Sequence, residues 1–209
     1  MKHFKILIAT VAMLFSMQAL AEMPAACATR VEQAFTQMKQ AAIDTVPVVD
    51  KAEVANIRLE FQESTETVYR MHDKVIVSPL FTGFETVMDT PVKVHHEGAS
   101  IDIAAGILHA TPELCDFDDV YIQGVMGHEF GHLLTAQARP EYRQAMVTWT
   151  SLHITYRMIE DMANQYAPKI YRTANLDSAP FLAELQGWCD KGYTLNCQVI
   201  ANWHEGETY

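Results

Sequence analysis

The stretch Asp116-Phe117-Asp118-Asp119-Val120-Tyr121-Ile122-Gln123-Gly124-Val125-Met126-Gly127-His128-Glu129-Phe130-Gly131-His132-Leu133-Leu134-Thr135-Ala136-Gln137 decides how the rest of the chain is read. Asp116, Asp118 and Asp119 offer a capping side chain and acids for a first turn, which suit the unpaired N–H groups and positive pole of a helix start. From Val120 to Gln137 the apolar residues Tyr121, Val125, Phe130, Leu133 and Leu134 recur at helical spacing. The pattern predicts a helix buried on at least one side, ended by Pro140.

Downstream, a longer helix is expected from about Glu141 to Ala167, with a stripe at Ala145, Trp149, Leu152, Tyr156 and Ile159. A short helix, Ala179 to Lys191, follows with Ser178 as its cap and Gly192 to close it. Upstream, Val31, Ala34, Phe35, Met38 and Ala42 mark a helix over Cys27 to Thr45, which Pro47 stops. Between these helical regions the period changes to two. Ile57, Leu59 and Phe61 alternate with polar residues in a strand over Asn56 to Gln62, and Lys74 to Ser78 reads as another. Thr90 to His96 and Ser100 to Leu108, joined through Glu97-Gly98, read as a hairpin. Strands first and helices after indicate an α+β domain rather than a doubly wound parallel sheet.

The chain has 209 residues, with 15 Lys+Arg against 26 Asp+Glu and a formal net charge of −11. Its basic residues are scattered, which argues against nucleic acid or an anionic membrane surface as partner. Lys2 and Lys5 precede an uncharged run that ends in Ala19-Leu20-Ala21, the pattern of a secretory signal peptide over residues 1–21. Lipid attachment at Cys27 is disfavoured by Pro24, which stands where an aliphatic residue is needed. Residues 22–209 then form a single domain, with no stable membrane anchor after cleavage, periplasmic or secreted. Its net charge is −13, because the leader takes two lysines and no acid with it. Cys27, Cys115, Cys189 and Cys197 all remain, an even number in an exported chain, so two disulfides are expected. Of the three possible pairings, Cys189 with Cys197 and Cys27 with Cys115 is favoured.

Within the central helix lies His128-Glu129-Phe130-Gly131-His132. Histidines four apart are turned by about 40° and separated by about 6 Å of rise, so both imidazoles can bind one ion from the same face. Glu129 can then reach a water in the open position and serve as general base. Gly127 and Gly131, both unfavourable inside a helix, fit the close approach of a neighbouring backbone. A catalytic zinc needs a third protein ligand. Thr135 and Ala138 stand where a metzincin would have Gly and His, which excludes that family. Glu160, Asp161 and Glu184 remain as candidates from the residues alone.

The phrase Glu184-Leu185-Gln186-Gly187-Trp188-Cys189 resembles the Glu-Leu-Gln-Ala-Asp-Cys with which gluzincins of the prenyl-protein endopeptidase type, and bacterial neutral zinc metallopeptidases, present their third ligand. The acidic, then apolar, lead-in from Asp118 to Gly127 is also similar. The resemblance implies a small zincin-like (gluzincin) fold: a short mixed sheet, an active-site helix and a downstream third-ligand helix. It further implies Zn2+ on His128, His132 and Glu184, hydrolysis of a peptide or protein substrate with Glu129 as base, and an extended substrate laid along Ser100 to Leu108. Tyr193 or His204 would stabilise the oxyanion. Trp188 departs from the family's aspartate, a partner of a metal-binding histidine, and motivates an alternative: an envelope binding or assembly factor with little or no peptidase activity.

His95, His96 and His109 flank the expected edge strand, where loop histidines are usually solvated, and His153 shares a helix face with Trp149 and Tyr156. The methionines at 146, 158 and 162 have the spacing of core filler rather than of a copper site.

Overall fold

The computed structural model describes residues 23–45, 50–63, 65–68, 71–78, 81–88, 92–95, 98–148, 156–192 and 194–207. The expected leader, His96, His153 and Tyr193 lie outside the described residues, as does the side chain of His95. The fold is mostly helical with a small three-stranded mixed sheet, compatible with the expected α+β class. Helix α1 spans Ala25–Thr45 and helix α2 Lys51–Asn56. Strand β1 is Arg58–Phe61, followed by β2 Thr65–Val68, β3 Met71–Ser78, β4 Phe81–Met88, β5 Val92–His95, β6 Ala99–Asp102 and β7 Ile107–Ala110. A 3-10 turn at Pro112–Asp116 leads into α3 Asp119–Ala138, α4 Pro140–Thr148, α5 Tyr156–Thr173, α6 Ala179–Asp190 and α7 Thr194–Glu207.

In the main sheet β7 lies between β1, to which it is parallel, and β6, to which it is antiparallel. The expected hairpin between Thr90–His96 and Ser100–Leu108 does not form. β5 pairs instead with β2, and β3 with β4, both antiparallel. The hairpin arms at the sheet are β6 and β7, cut from what reads as one strand. Asp102 accepts the N–H of Ala105 at 2.9 Å, and Gly106 takes φ +70°, so the chain turns there.

Other boundaries shift for local reasons. Asp118, not Asp116 or Asp119, caps α3, accepting the N–H of Tyr121 at 2.8 Å; Asp119 instead accepts from Arg30 of α1 at 2.6 Å. Ser178 makes no capping bond at α6; Asp177 accepts the N–H of Ala179 at 3.0 Å. Gly192 closes that helix as expected, with φ +97° and its N–H on the carbonyl of Cys189. Of the long helix expected over Glu141 to Ala167, the described parts are α4 and α5, Trp149 and Leu152 of its stripe lying outside the described residues, and α5 continues past Pro168. Both expected disulfides form, Cys27–Cys115 and Cys189–Cys197, in keeping with folding in an oxidising compartment. Among the described residues no helix is long and apolar enough to cross a membrane.

The core sits where α1, α3 and α5 meet under the sheet. Val31 and Met38 of α1, Leu108 of β7, Ile122, Met126, Phe130 and Leu133 of α3, and Ile170 of α5 are fully buried, each such side chain contributing ~1.5–3 kcal/mol. α3 and α5 approach so closely that a Cβ added at Gly131 would lie 2.4 Å from the carbonyl oxygen of Ala163. Gly127, in contrast, faces side chains of Met38 and Tyr171 rather than backbone. Gly131→Ala should therefore lower unfolding stability by about 1–3 kcal/mol through overpacking. Gly187→Ala in α6, where nothing lies within 4 Å of the new methyl, should raise it by up to about 1 kcal/mol through helix propensity. Urea titrations of the two variants give the signs directly.

Candidate metal centre

His128 and His132 project from one face of α3, and their Nε2 atoms lie 3.1 Å apart. Together with Glu129 they form a group able to hold a metal ion. The close approach at Gly131 brings a second helix to them. On α5 the buried stripe Ile159, Ala163, Ala167 and Ile170 faces the core, and Glu160 and Asn164, four apart, share the adjacent face. Glu160 Oε2 is 3.1 Å from Nε2 of His128, and its Oε1 is 3.5 Å from Nε2 of His132. Asn164 Oδ1 lies 2.8 Å from Nδ1 of His128. Accepting an Nδ1–H, it fixes the tautomer that leaves Nε2 pointing at the convergence.

These spacings suit one small ion. Four donors at about 2.05 Å in a tetrahedron stand about 3.3 Å from one another; the two nitrogens and the Glu160 oxygens are separated by 3.1 to 3.5 Å. Glu129 is set back from this convergence, with Oε1 4.0 Å from Nε2 of His128. Imidazole nitrogens with a carboxylate form a donor set suited to zinc and neighbouring transition metals.

Burial and mutual charge set the protonation of these groups. His132 is pushed down to about 3, first by burial and then by the charge on His128. His128 is also penalised by burial, but its hydrogen bond to Glu160 and the charges of Glu129 and Glu160 outweigh that and raise it to about 9. Burial lifts Glu129 to about 7 against the pull of His128 and of the Ile101 backbone N–H, which bonds the carboxylate. A proton on His128, shared toward Glu160, therefore takes the place an ion would take.

Ile101 belongs to the sheet edge. The N–H of Thr111 bonds the carbonyl of Gly98 at 2.9 Å, so in the antiparallel register Gly98 and Ser100 face β7 while Ala99 and Ile101 turn their N–H and C=O groups outward. That outer edge, on which Glu129 takes the Ile101 N–H, lines a cleft of about 360 Å³ with His128, Glu129, His132 and Glu160. A second cleft, about 560 Å³, opens on the other side of His128 and Glu160 between α3, α5, α6 and α7.

Glu184 does not join this centre. It lies on α6, where burial and then the charge of Asp118 raise its carboxyl, and its own charge adds to burial in raising the Tyr121 hydroxyl; Tyr121 is about 10 Å along α3 from His128 by helical rise. His204 is exposed, 3.2 Å from Glu207, and lines neither cleft. Neither does His109, whose Nδ1 is buried in β7 without a hydrogen-bond partner. Asn164 was not singled out by the sequence, although its spacing from Glu160 is the available signal.

Comparison of the chain with protein-family models, with curated proteins and with solved structures finds no match in any of the three.

Two measurements probe the centre. Asn164→Ala should weaken divalent-metal affinity by about 10–100-fold by freeing the His128 ring, read by competition with a chromophoric chelator. Because an ion must displace the proton that His128 holds until about pH 9, affinity should rise about tenfold per pH unit between pH 7 and that value and level off above it. Calorimetry at pH 7.5 in buffers of different ionisation enthalpy should count about one proton released per ion.

Proposed function

We propose that the protein is an exported, zinc-dependent peptidase with a gluzincin-like, zincin-type arrangement, in which His128, His132 and Glu160 hold the ion and Glu129 is the general base. The observation that carries this reading is the convergence of the two Nε2 atoms with the Glu160 carboxylate, beside a set-back glutamate. Glu160 takes the ligand role that the resemblance assigns to Glu184, and Asn164 the orienting role expected at position 188. The departure at Trp188 then no longer favours a binding or assembly factor without activity. The leader-like residues 1–21 and the two disulfides support export.

Zinc in this site would act as a Lewis acid, polarising a peptide carbonyl and lowering the pKa of water. The chain's own residues supply the rest. An extended peptide adds to the outward edge of β6 through Ala99 and the carbonyl of Ile101, whose N–H stays on Glu129, and its scissile bond is thereby held over the histidines. Glu129, buried and held by Ile101, accepts a proton from the attacking water and returns it to the departing amine nitrogen. The water's OH thus ends on the acyl carbon and its hydrogen on the amine. Asn164 keeps His128 oriented throughout.

Glu129→Gln should lower hydrolysis of an unstructured protein substrate by about 10²–10⁴-fold with zinc content unchanged. Elemental analysis should find zinc lost in Glu160→Ala and retained in Glu184→Ala; the reverse pattern would return the ligand role to Glu184.

A further inference from the structure

The larger cleft carries a chemical signature of its own. Val125 of α3, Phe181 and Leu185 of α6 and Val199 of α7 give it apolar walls, and His128 and Glu160 form the end nearest the metal centre. At about 560 Å³ it falls within the range of sites that enclose ligands larger than one small side chain, roughly 300–1,000 Å³. Among the described residues lining the two clefts, Arg157 is the one ammonium or guanidinium group, in a chain whose net charge is strongly negative.

Arg157 stands one turn before Glu160 on α5, so the guanidinium sits at the rim of the cleft within one helical turn of the metal centre. Its side chain is 74% exposed and has two partners, an ion pair with Asp161 on its own helix and a hydrogen bond to Gln198 of α7. Nη2 donates to Oε1 of Gln198 at 2.9 Å, while Nε is 3.8 Å from Asp161, too long for a hydrogen bond. Gln198 and Asp161 are themselves tied through Asn202, which accepts from the first at 3.1 Å and donates to the second at 2.6 Å. The ring of side chains joins α5 to α7 and leaves further guanidinium donors for a planar anion, the bidentate geometry in which arginine recognises carboxylates.

We propose that this cleft receives the carboxy-terminal end of a peptide, with its apolar side chain between Val125, Phe181, Leu185 and Val199 and its terminal carboxylate on Arg157. The inference rests on the hydrolase reading and narrows its substrate class to peptides with a free, apolar C-terminus. An internal segment of a protein has no charge to offer Arg157, and an acidic side chain does not suit the walls.

The test uses the full mature chain carrying Glu129→Gln, loaded with zinc so that peptides bind without turning over. N-acetylated tetrapeptides ending in Leu-Phe, as free acid and as amide, are compared with a Gly-Gly acid by calorimetry. The Leu-Phe acid should bind about tenfold more tightly than its amide, equivalent to about 1.4 kcal/mol. Adding Arg157→Gln should erase the difference and Arg157→Lys should restore part of it. Val199→Trp should weaken the Leu-Phe acid and leave the Gly-Gly acid unchanged. Equal binding of acid and amide, or discrimination that survives Arg157→Gln, overturns the inference. Selective binding of the acid together with no hydrolysis by the wild-type chain would sink the peptidase reading while leaving the cleft assignment standing. Cleavage of an unstructured protein at internal bonds, with no preference for free termini, would do the opposite.

Discussion

The contact on which the rest depends is the near touch of two backbones at Gly131 and Ala163. A helix pair normally keeps its axes 8–10 Å apart, with side chains filling the gap. A glycine on α3 opposite an alanine on α5 lets the axes close, and only then can a side chain as short as glutamate span from α5 to two histidines on α3. The same device recurs on the other side of α5, where a Cβ at Gly206 of α7 would lie 2.2 Å from the carbonyl oxygen of Gln165. α5 is thus gripped between two glycines that face its backbone two residues apart. Its position, and with it that of Glu160 and Asn164, is set by main-chain contact rather than by adaptable side chains.

Around this grip, ties to the rest of the chain fix α3 along its length. The Cys27–Cys115 bridge and the Arg30–Asp119 pair hold its start to α1. The hydroxyl of buried Tyr171 donates to the carbonyl of Val120 at 2.9 Å, joining α5 to the first turn. At the far end Gln137 bonds Glu53 of α2, which is also paired with Arg143 of α4. The histidines sit in the middle of the span, where a helix held at both ends has least freedom to rotate them out of line.

Much of this was legible in residues. The helical period around His128, the capping acids, the glycine at 131 and the even cysteine count each express a local rule, and local rules survive folding. What the residues did not show was pairing over distance. The segment from Ser100 to Leu108 has a strand's composition, but the Asp102 turn and the positive φ of Gly106 divide it, and nothing in alternation tells β5 to prefer β2 over β6. The carboxylate that meets the histidines was not legible for a related reason. Glu184 sits in a phrase with a known likeness, whereas Glu160 lies in an ordinary amphipathic stripe whose relation to His128 exists only once α3 and α5 touch. Glycine at 131 hinted at that touch; which residue of α5 it meets is a tertiary fact.

The self-pairing of the ion site bears on the order in which the molecule is built. Proteins whose ligands repel or lie unpaired without metal cannot fold until metal arrives. Here the bare groups neutralise one another, His128 toward Glu160 on one ring nitrogen and Asn164 on the other, so the interior is electrically quiet before any ion enters. Such a chain can close its two sulfur bridges and pack completely before any metal is bound. In the proposed peptidase, activity would then start with an inorganic event, the exchange of one proton for one cation, timed by the supply of metal.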